Sequence, residues 1–511
     1  MTDGYRQQYD FVSLERAGVM KSVAMIAYDF PPEGNAGACR PLRFVRHLPS
    51  AGWSPTVITH DAPFFERYDL LLLAEVPAEV EIIRVRSSDP WFALQQRRAM
   101  RKRRKAAVAS RLKAARLRET HQARIRSFAR EILRAAEAWC YHPDMAAGWI
   151  RPAVNAAVKA CNQKRTAILW ATAGPVSSFI VAQRVSAQTQ IPYVLDFRDA
   201  WTITYNEFEA RRPAWAVRRD RQNMYELLKG AQAVIFRYWT EAECFWRAYP
   251  GALQASKIHI IPNGYAGTID EFTPPKRDRC EILYTGTLSD YRYGSLLQAL
   301  SLMKRSSPEL AKQLHFTFIG EGTQALAAHA AALDLSDTVT TGAPVSQHEA
   351  TKLTKKAHAL LILGRPATMR GYELFAGAKL FGYLKTGMPI VGVLPCDETK
   401  RILLQAGVST IADVESHSDI IGVLRKLVAA WSREELPSLL PDRSACERYS
   451  AERQTGDLVR ALEGSPATEP FVPGSADIPA SLRAEIETRS HEAGIRRPLS
   501  ARQEAMASSR M

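Results

Sequence analysis

The stretch VMKSVAMIAYDFPPEGNAGACRPLRFV, Val19–Val45, decides the fold. Val19 to Tyr28 alternates and then runs apolar, as a buried strand does. It stops at Pro31-Pro32 and enters a Gly- and Ala-rich loop, Glu33-Gly34-Asn35-Ala36-Gly37-Ala38. A helix follows, with Leu42, Val45 and Leu48 at helical spacing, and ends near Gly52. Pro55 to Thr59 then reads as a second strand. Strand, glycine loop, helix and strand form the opening βαβ unit of a parallel sheet, so the class is α/β.

Units of the same kind continue outward from this one. Ile168 to Ala171 is a short strand ending at Thr172-Ala173-Gly174-Pro175, and Tyr193 to Asp196 is another, ending at Phe197-Arg198-Asp199. Ala233 to Phe236 and Ile258 to Ile261 complete a first domain over 20–271. A Pro- and charge-rich stretch, 272–280, reads as a linker. A second α/β series over 281–444 has strands at Glu281–Thr285, His315–Ile319, Thr338–Thr341, Ala359–Leu363 and Ile390–Val393. A terminal helix is expected over 445–463. The leader 1–19 reads as flexible, and 464–511, rich in Pro, Ser, Ala, Arg and Glu, as a disordered tail.

Composition narrows the function classes. A chain of 511 residues with 46% hydrophobic content supplies two cores rather than one. No apolar run approaches the roughly 20 residues that span a bilayer, and residues 1–19 lack a secretory pattern. The expectation is a cytoplasmic protein. Seven cysteines without a Cys-x-x-Cys pair suggest neither a disulfide framework nor a zinc ribbon. No metal-ligand motif stands out, and no metal or other cofactor is expected. The net charge of +15 is concentrated: Arg97 to Arg134 holds fifteen Lys and Arg against Glu119 and Glu131. Residues 91–140 read as a basic helical insertion in the first domain. Few aromatics interleave the charge, which argues against nucleic acid. An anionic membrane surface and plain solvation of a helical hairpin are the two readings that remain.

Six loop motifs, in order, resemble those of family 4 glycosyltransferases. They are Tyr28-Asp29-Phe30-Pro31-Pro32 with Gly34, Gly37 and Arg40; Pro192 to Trp201; and Ile261-Pro262-Asn263-Gly264-Tyr265. Tyr284-Thr285-Gly286-Thr287-Leu288, Phe318-Ile319-Gly320-Glu321-Gly322 and Lys379 to Ile390 follow in the second domain. The resemblance covers residues 20–462 and implies the GT-B architecture, two Rossmann-like parallel-sheet domains facing across a cleft. It implies a retaining, metal-independent hexosyltransferase that moves sugar from a nucleotide-diphosphate donor to a lipid-linked or polysaccharide acceptor. In such an enzyme the donor lies mainly on the second domain and the acceptor enters from the first.

The leaving diphosphate gains negative charge, and the chain offers means to stabilise it. Gly377-Ala378-Lys379 opens an amphipathic helix whose amides can face a phosphate. Lys379 adds a full charge there, Arg292 lies beyond the Gly286-Thr287 turn, and Arg365 follows the Ala359–Leu363 strand. On the first-domain side the candidates are Gly34, Gly37, Arg40, Asp199 and Asn263. Each also has a plain structural reading: a tight turn for the glycines and Asn263, a cap or a pair with Arg198 for Asp199, a surface position for Lys379. No residue is assigned as catalytic base. The donor's own phosphate can serve in the retaining mechanism.

One position departs from the family pattern. The resemblance implies a glutamate gripping the donor ribose where Gly382 stands, and Leu374 occupies the place of a further glutamate. Either Glu373 substitutes, or the ribose is held differently, or catalysis is lost. The alternatives to transfer are therefore a non-catalytic GT-B scaffold for a partner or membrane, and a GT-B nucleotide-sugar epimerase.

Overall fold

The computed structural model describes residues 20–61, 68–87, 142–203, 213–289, 291–366 and 371–476, together with 478, 482, 483 and 486. The basic insertion expected over 91–140, including the charged run 97–134, lies outside the described residues.

The first domain is built on seven strands: β1 (Lys21–Ala27), β2 (Trp53–His60), β3 (Glu81–Val85), β4 (Ile168–Thr172), β5 (Tyr193–Asp196), β6 (Ala233–Phe236) and β7 (Ile258–Ile260). All neighbours pair in parallel, in the order β3-β2-β1-β4-β5-β6-β7. Its principal helices are α1 (Ala36–His47), α2 (Ala147–Lys164), α3 (Ser177–Thr189), α4 (Ala214–Gly230) and α5 (Trp239–Ala248). A parallel sheet covered on both faces needs apolar residues on both sides of each strand. β1 shows this directly: Ala24 and Ile26 enter one core, while Val23, Met25 and Ala27 enter the other. The edge strand β3 was absent from the sequence expectation. Its residues are mostly half-exposed, so its apolar signal is weak.

The second domain has six parallel strands, β8 (Cys280–Thr285), β9 (Leu314–Ile319), β10 (Val339–Gly342), β11 (Ala359–Leu363), β12 (Ile390–Leu394) and β13 (Ile411–Asp413). Their order is β10-β9-β8-β11-β12-β13. The three-residue β13 is again a strand that periodicity does not reveal. Helices α6 (Gly294–Ser306), α7 (Thr323–Ala332), α8 (Ala378–Lys385), α9 (Glu398–Gln405) and α10 (His417–Ser432) flank the sheet. Alternation repeats here, with Leu361 and Leu363 in one core and Leu360 and Ile362 in the other.

The helix expected near 445–463 is two helices, Arg443–Glu447 and α11 (Ala451–Leu462). The chain recrosses at Tyr449, whose carbonyl accepts the Tyr265 amide at 3.0 Å, while the Ala451 amide donates to the Tyr265 carbonyl at 2.9 Å. Gly264 lies at this crossing because no side chain fits: a Cβ would stand 2.2 Å from the Tyr449 carbonyl oxygen. Through α11, Leu458, Ala461 and Leu462 then join the first-domain core beside Val23 and Met25. Residues 464–476, the first part of the stretch expected to be disordered, contact the first domain at several points. Phe471 is buried and its ring stacks 5.8 Å from Trp239, and the Gly474 amide donates to the Glu243 carboxylate at 2.9 Å. The apolar anchor Phe471 offsets the Pro- and Ser-rich composition that suggested disorder.

Both sheets reverse direction of winding once, between β1 and β4 in the first and between β8 and β11 in the second. Ligands of open α/β sheets bind beyond the carboxyl ends of strands at such a switch point.

Candidate functional site

The loops leaving β1 and β4 meet at Arg198, which follows β5. Its Nε donates to the Ala173 carbonyl, Nη1 to the Gly37 carbonyl and Nη2 to the Gly174 carbonyl. Nη2 also lies 3.4 Å from the Asp29 carboxylate. One guanidinium thereby fixes three loops, and its ion-pair partner is Asp29 rather than the neighbouring Asp199. Burial raises the Asp29 pKa, with Arg198 and Asn35 opposing it. Asn35 caps α1 by accepting the Ala38 amide at 3.0 Å. Gly37 lets the helix pack close, since a Cβ would fall 2.3 Å from Asp29 Oδ2 and 2.8 Å from Arg198 Nη1 and would displace those side-chain ends. The expected tight-turn role of Gly37 is thus a close packing of helix against the Asp29–Arg198 pair. Gly34 is half-exposed in the loop just before α1.

Arg40 is buried in structure rather than free for ligand. It grips Asp196 through Nε and Nη2 at 2.8–3.2 Å, and donates to the carbonyls of Pro262 and Ile261 at 2.9 Å. Both side chains are almost wholly buried, at 3% and 0% exposure. A cleft of about 660 Å³ opens above this pair. Gly37, Arg198, Asp199 and Asn263 line it from the first domain, and Phe375 and Ala376 from the second.

In the second domain the switch point is occupied by two cations on three aromatic rings. Lys379, in the first turn of α8, donates from Nζ to the Tyr284 hydroxyl at 2.8 Å. That ammonium lies 4.1 Å from the Tyr284 ring centroid and 5.1 Å from that of Tyr291. Arg365, just after β11, stacks 3.8 Å over Phe375 and 5.5 Å over Tyr291. Cation–π contact of this kind contributes about 0.5–2 kcal/mol, a partial substitute for a counter-charge. Burial, and then the Arg365 charge, push the Lys379 pKa down to about 8. The same pocket holds Asp397, whose carboxyl burial raises to about 7. Lys379 passes across Gly286, which has φ of +115° and where a Cβ would come within 2.6 Å of Nζ. Glycine is thus required at Gly286 both by its backbone and by the lysine above it. Gly377 caps α8 at the same pocket.

The remaining expected residues lie to the side. Thr287 accepts the Tyr284 hydroxyl at its carbonyl, 2.8 Å away. Arg292 donates its amide to the Gly364 carbonyl at 2.9 Å and pairs with Glu415 at the surface. Neither Arg292 nor Glu373 lines the Lys379 pocket. Glu373 sits toward the first domain, where its charge is felt by Cys244 of α5. Gly382 is exposed, with no heavy atom within 4 Å of a Cβ built on it. It lies one turn beyond Lys379 and so on the same helix face.

Sequence reasoning missed Phe375, Tyr291 and Asp397. Phe375 lines both the Lys379 pocket and the large cleft, so the two cavities meet at its ring. The carbonyl of the next residue, Ala376, accepts the Tyr238 hydroxyl at 3.1 Å, a direct tie between the domains. A lone aromatic after Leu374 gives no signal in one sequence. Asp397 also caps the following helix, its carboxylate accepting the Lys400 amide at 2.9 Å.

No family model matches the chain, and no curated protein matches it. Solved structures match over most of its length. The lipopolysaccharide outer core galactosyltransferase WaaB, in its apo form, matches with a TM-score of 0.52 at 12% identity, covering 86% of this chain and 99% of that one. Sucrose-phosphate synthase from Thermosynechococcus elongatus matches with a TM-score of 0.53 at 13% identity, over 87% and 99%. The trehalose-6-phosphate protein from E. coli bound with UDP-2-fluoro glucose matches with a TM-score of 0.51 at 10% identity, over 87% and 99%.

The chain has the GT-B fold. At these identities the likeness is one of fold, and function has to be argued from the site. Among the described residues no helix is long and apolar enough to cross a membrane.

Proposed function

We propose that this GT-B chain is a retaining, family 4-like hexosyltransferase. It takes sugar from a nucleotide-diphosphate donor and passes it to a lipid-linked or polysaccharide acceptor. The observation that carries the reading is the pair Lys379 and Arg365 at the second switch point, two half-buried cations facing aromatic rings beside the start of a helix. A diphosphate bound there places negative charge beside both side chains, and α8 adds the positive end of its dipole. As the sugar–phosphate bond breaks, charge moves onto the leaving oxygen, and the same two side chains stabilise it more in the transition state than in the ground state. In this reading the cations do the work of a metal, and no metal is needed. The donor's own phosphate takes the proton of the attacking hydroxyl, so no protein base is required.

The acceptor enters the 660 Å³ cleft from the first domain, which meets the donor pocket at Phe375. The basic run 97–134 is proposed to hold the enzyme at the anionic inner face of a membrane, each cation adding about 1 kcal/mol near the surface. Flotation with anionic liposomes at physiological salt tests that placement, and absence of co-flotation removes it.

The donor reading is tested by calorimetric titration of the full chain with UDP, GDP and their sugar conjugates. Micromolar binding of one nucleotide, weakened at least tenfold in Lys379→Met, is the expected result. Absence of binding by every nucleotide would sink the transferase reading and leave the scaffold alternative that Gly382 suggests.

A further inference from the structure

The first-domain wall of the cleft carries a charge that donor binding does not use. Helix α1 turns one face to the cleft, with Cys39, Arg43, Arg46 and His47 along it. Arg46 pairs with Glu75 at 2.6 Å, and His47 stands 3.9 Å from the Glu452 carboxylate. Arg40, one turn earlier, is committed to Asp196. Of the acids on the cleft wall, Asp29 is paired with Arg198 and Glu75 with Arg46, and Asp199 adds its field to Arg237.

Arg43 has no such partner. It is 9% exposed, its Nε makes no hydrogen bond, and no described residue forms an ion pair with it. Its one hydrogen bond is a long donation from Nη2 to the Pro262 carbonyl at 3.5 Å, an acceptor that Arg40 already holds at 2.9 Å. Burial, and then the adjacent Arg40 charge, push its pKa down to about 9, against the weaker pull of Asp196. Two guanidinium groups thus share one carboxylate at the floor of a cleft open to ligand. Guanidinium presents five N–H donors in a planar fork matched to carboxylate and phosphate oxygens. Left unpaired in a buried position it is destabilising.

We propose that Arg43 receives an anionic group on the acceptor, a phosphate ester or a carboxylate borne by a sugar. The inference rests on the acceptor entering from the first domain, and it goes beyond the transferase reading by naming the chemistry the acceptor carries. Arg43 fixes the acceptor by bidentate contact, and Arg40–Asp196 holds the helix turn that presents it.

The test is calorimetry and thermal shift on the full chain with glucose 6-phosphate, glucuronate and uncharged methyl glucoside. Wild type, Arg43→Met, Arg43→Lys and Lys379→Met are compared. In the wild type one charged probe binds at least tenfold more tightly than methyl glucoside. A preference for glucose 6-phosphate assigns a phosphate ester and one for glucuronate a carboxylate. Arg43→Met abolishes the preference while its Tm rises by roughly 2 °C or more, because an unpaired buried charge has been removed. Arg43→Lys keeps the charge without the fork and retains part of the preference, which also covers a Met variant that fails to fold. Lys379→Met leaves the preference intact.

Three results would each overturn the proposal: no charged-probe preference in the wild type, a preference that survives Arg43→Met, or one lost with Lys379→Met. A lowered Tm with unchanged probe binding in Arg43→Met would mark a purely structural arginine and likewise end it. Nucleotide binding at Lys379 without sugar-anion binding defeats this inference alone. Sugar-anion binding at Arg43 without nucleotide binding defeats the donor reading alone.

Discussion

Raising the pH should weaken nucleotide binding through Lys379. Burial and Arg365 bring its pKa to about 8 in the ligand-free protein. A bound diphosphate supplies opposite charge and raises that pKa again, so above pH 8 each binding event must deliver a proton to Lys379. The sign follows from linkage: the complex holds more protons than the free protein, and affinity falls as pH rises. With a pKa of about 8, the protonated fraction drops from about nine-tenths at pH 7 to about one-tenth at pH 9. The association constant should therefore fall about tenfold over that interval, or ~1.4 kcal/mol. The terminal phosphate of the nucleotide ionises near pH 6 and contributes little above 7.

Calorimetry in two buffers of different ionisation enthalpy reads the proton directly, and uptake should approach one per nucleotide at pH 9. Lys379→Arg stays charged throughout and should show a flat profile. Titration of the nucleotide base occurs in both proteins and cancels in their ratio. A wild-type affinity unchanged from pH 7 to 9 and parallel to that of Lys379→Arg would refute the assignment of Lys379 to the phosphates.

Two further outcomes follow from the geometry. Asp196→Asn leaves Arg40 and Arg43 buried together without a counter-charge, so urea unfolding should show a loss of about 3–5 kcal/mol; a loss below about 1 kcal/mol would mean the pair does not hold the first domain's loops. Gly382→Glu enters open space on the Lys379 face of α8 and replaces the poorest ordinary helix former, so its Tm should not fall. Its carboxylate should raise nucleotide affinity about thirtyfold by gripping the ribose, or ~2 kcal/mol, within the roughly 1.5–3 kcal/mol of a charge-assisted hydrogen bond; weaker binding would show that this face of α8 does not meet the ribose.

Most of the strands were legible because a parallel sheet leaves a simple trace. β4, β5 and β6 are buried throughout and read as short apolar runs between turn residues. β3 and β13 were not legible, since an edge strand or one of three residues carries little apolar signal. Glycines and charges beside strand ends located Gly37, Gly286, Gly377 and Lys379, all of which the fold brings to its two switch points. Arg40, expected among the first-domain site residues, stands in α1 and pairs with a carboxylate 156 residues away in β5. Long-range pairing of that kind leaves no local pattern. Arg198 is the converse case: named within a motif and as a pairing alternative for Asp199, it is the side chain that ties Asp29, Gly37, Ala173 and Gly174 together.

The segment 371–377 couples the two halves of the site. Leu374 packs into the first-domain core, Phe375 carries Arg365 on its ring, and Gly377 begins the helix that holds Lys379. Between them the Ala376 carbonyl accepts the Tyr238 hydroxyl from the first domain. Lys379 and Arg365 are therefore positioned by a strip of chain whose packing belongs partly to the opposite domain. Opening the cleft must either draw this strip with the first domain, moving Phe375 from beneath Arg365, or break the Tyr238 contact and pull Leu374 from its core. Both routes disturb the cation pair, and neither leaves the aromatic support of Arg365 unchanged. In the proposed reading, donor charge recognition and acceptor approach thus depend on one short loop that neither sheet contains.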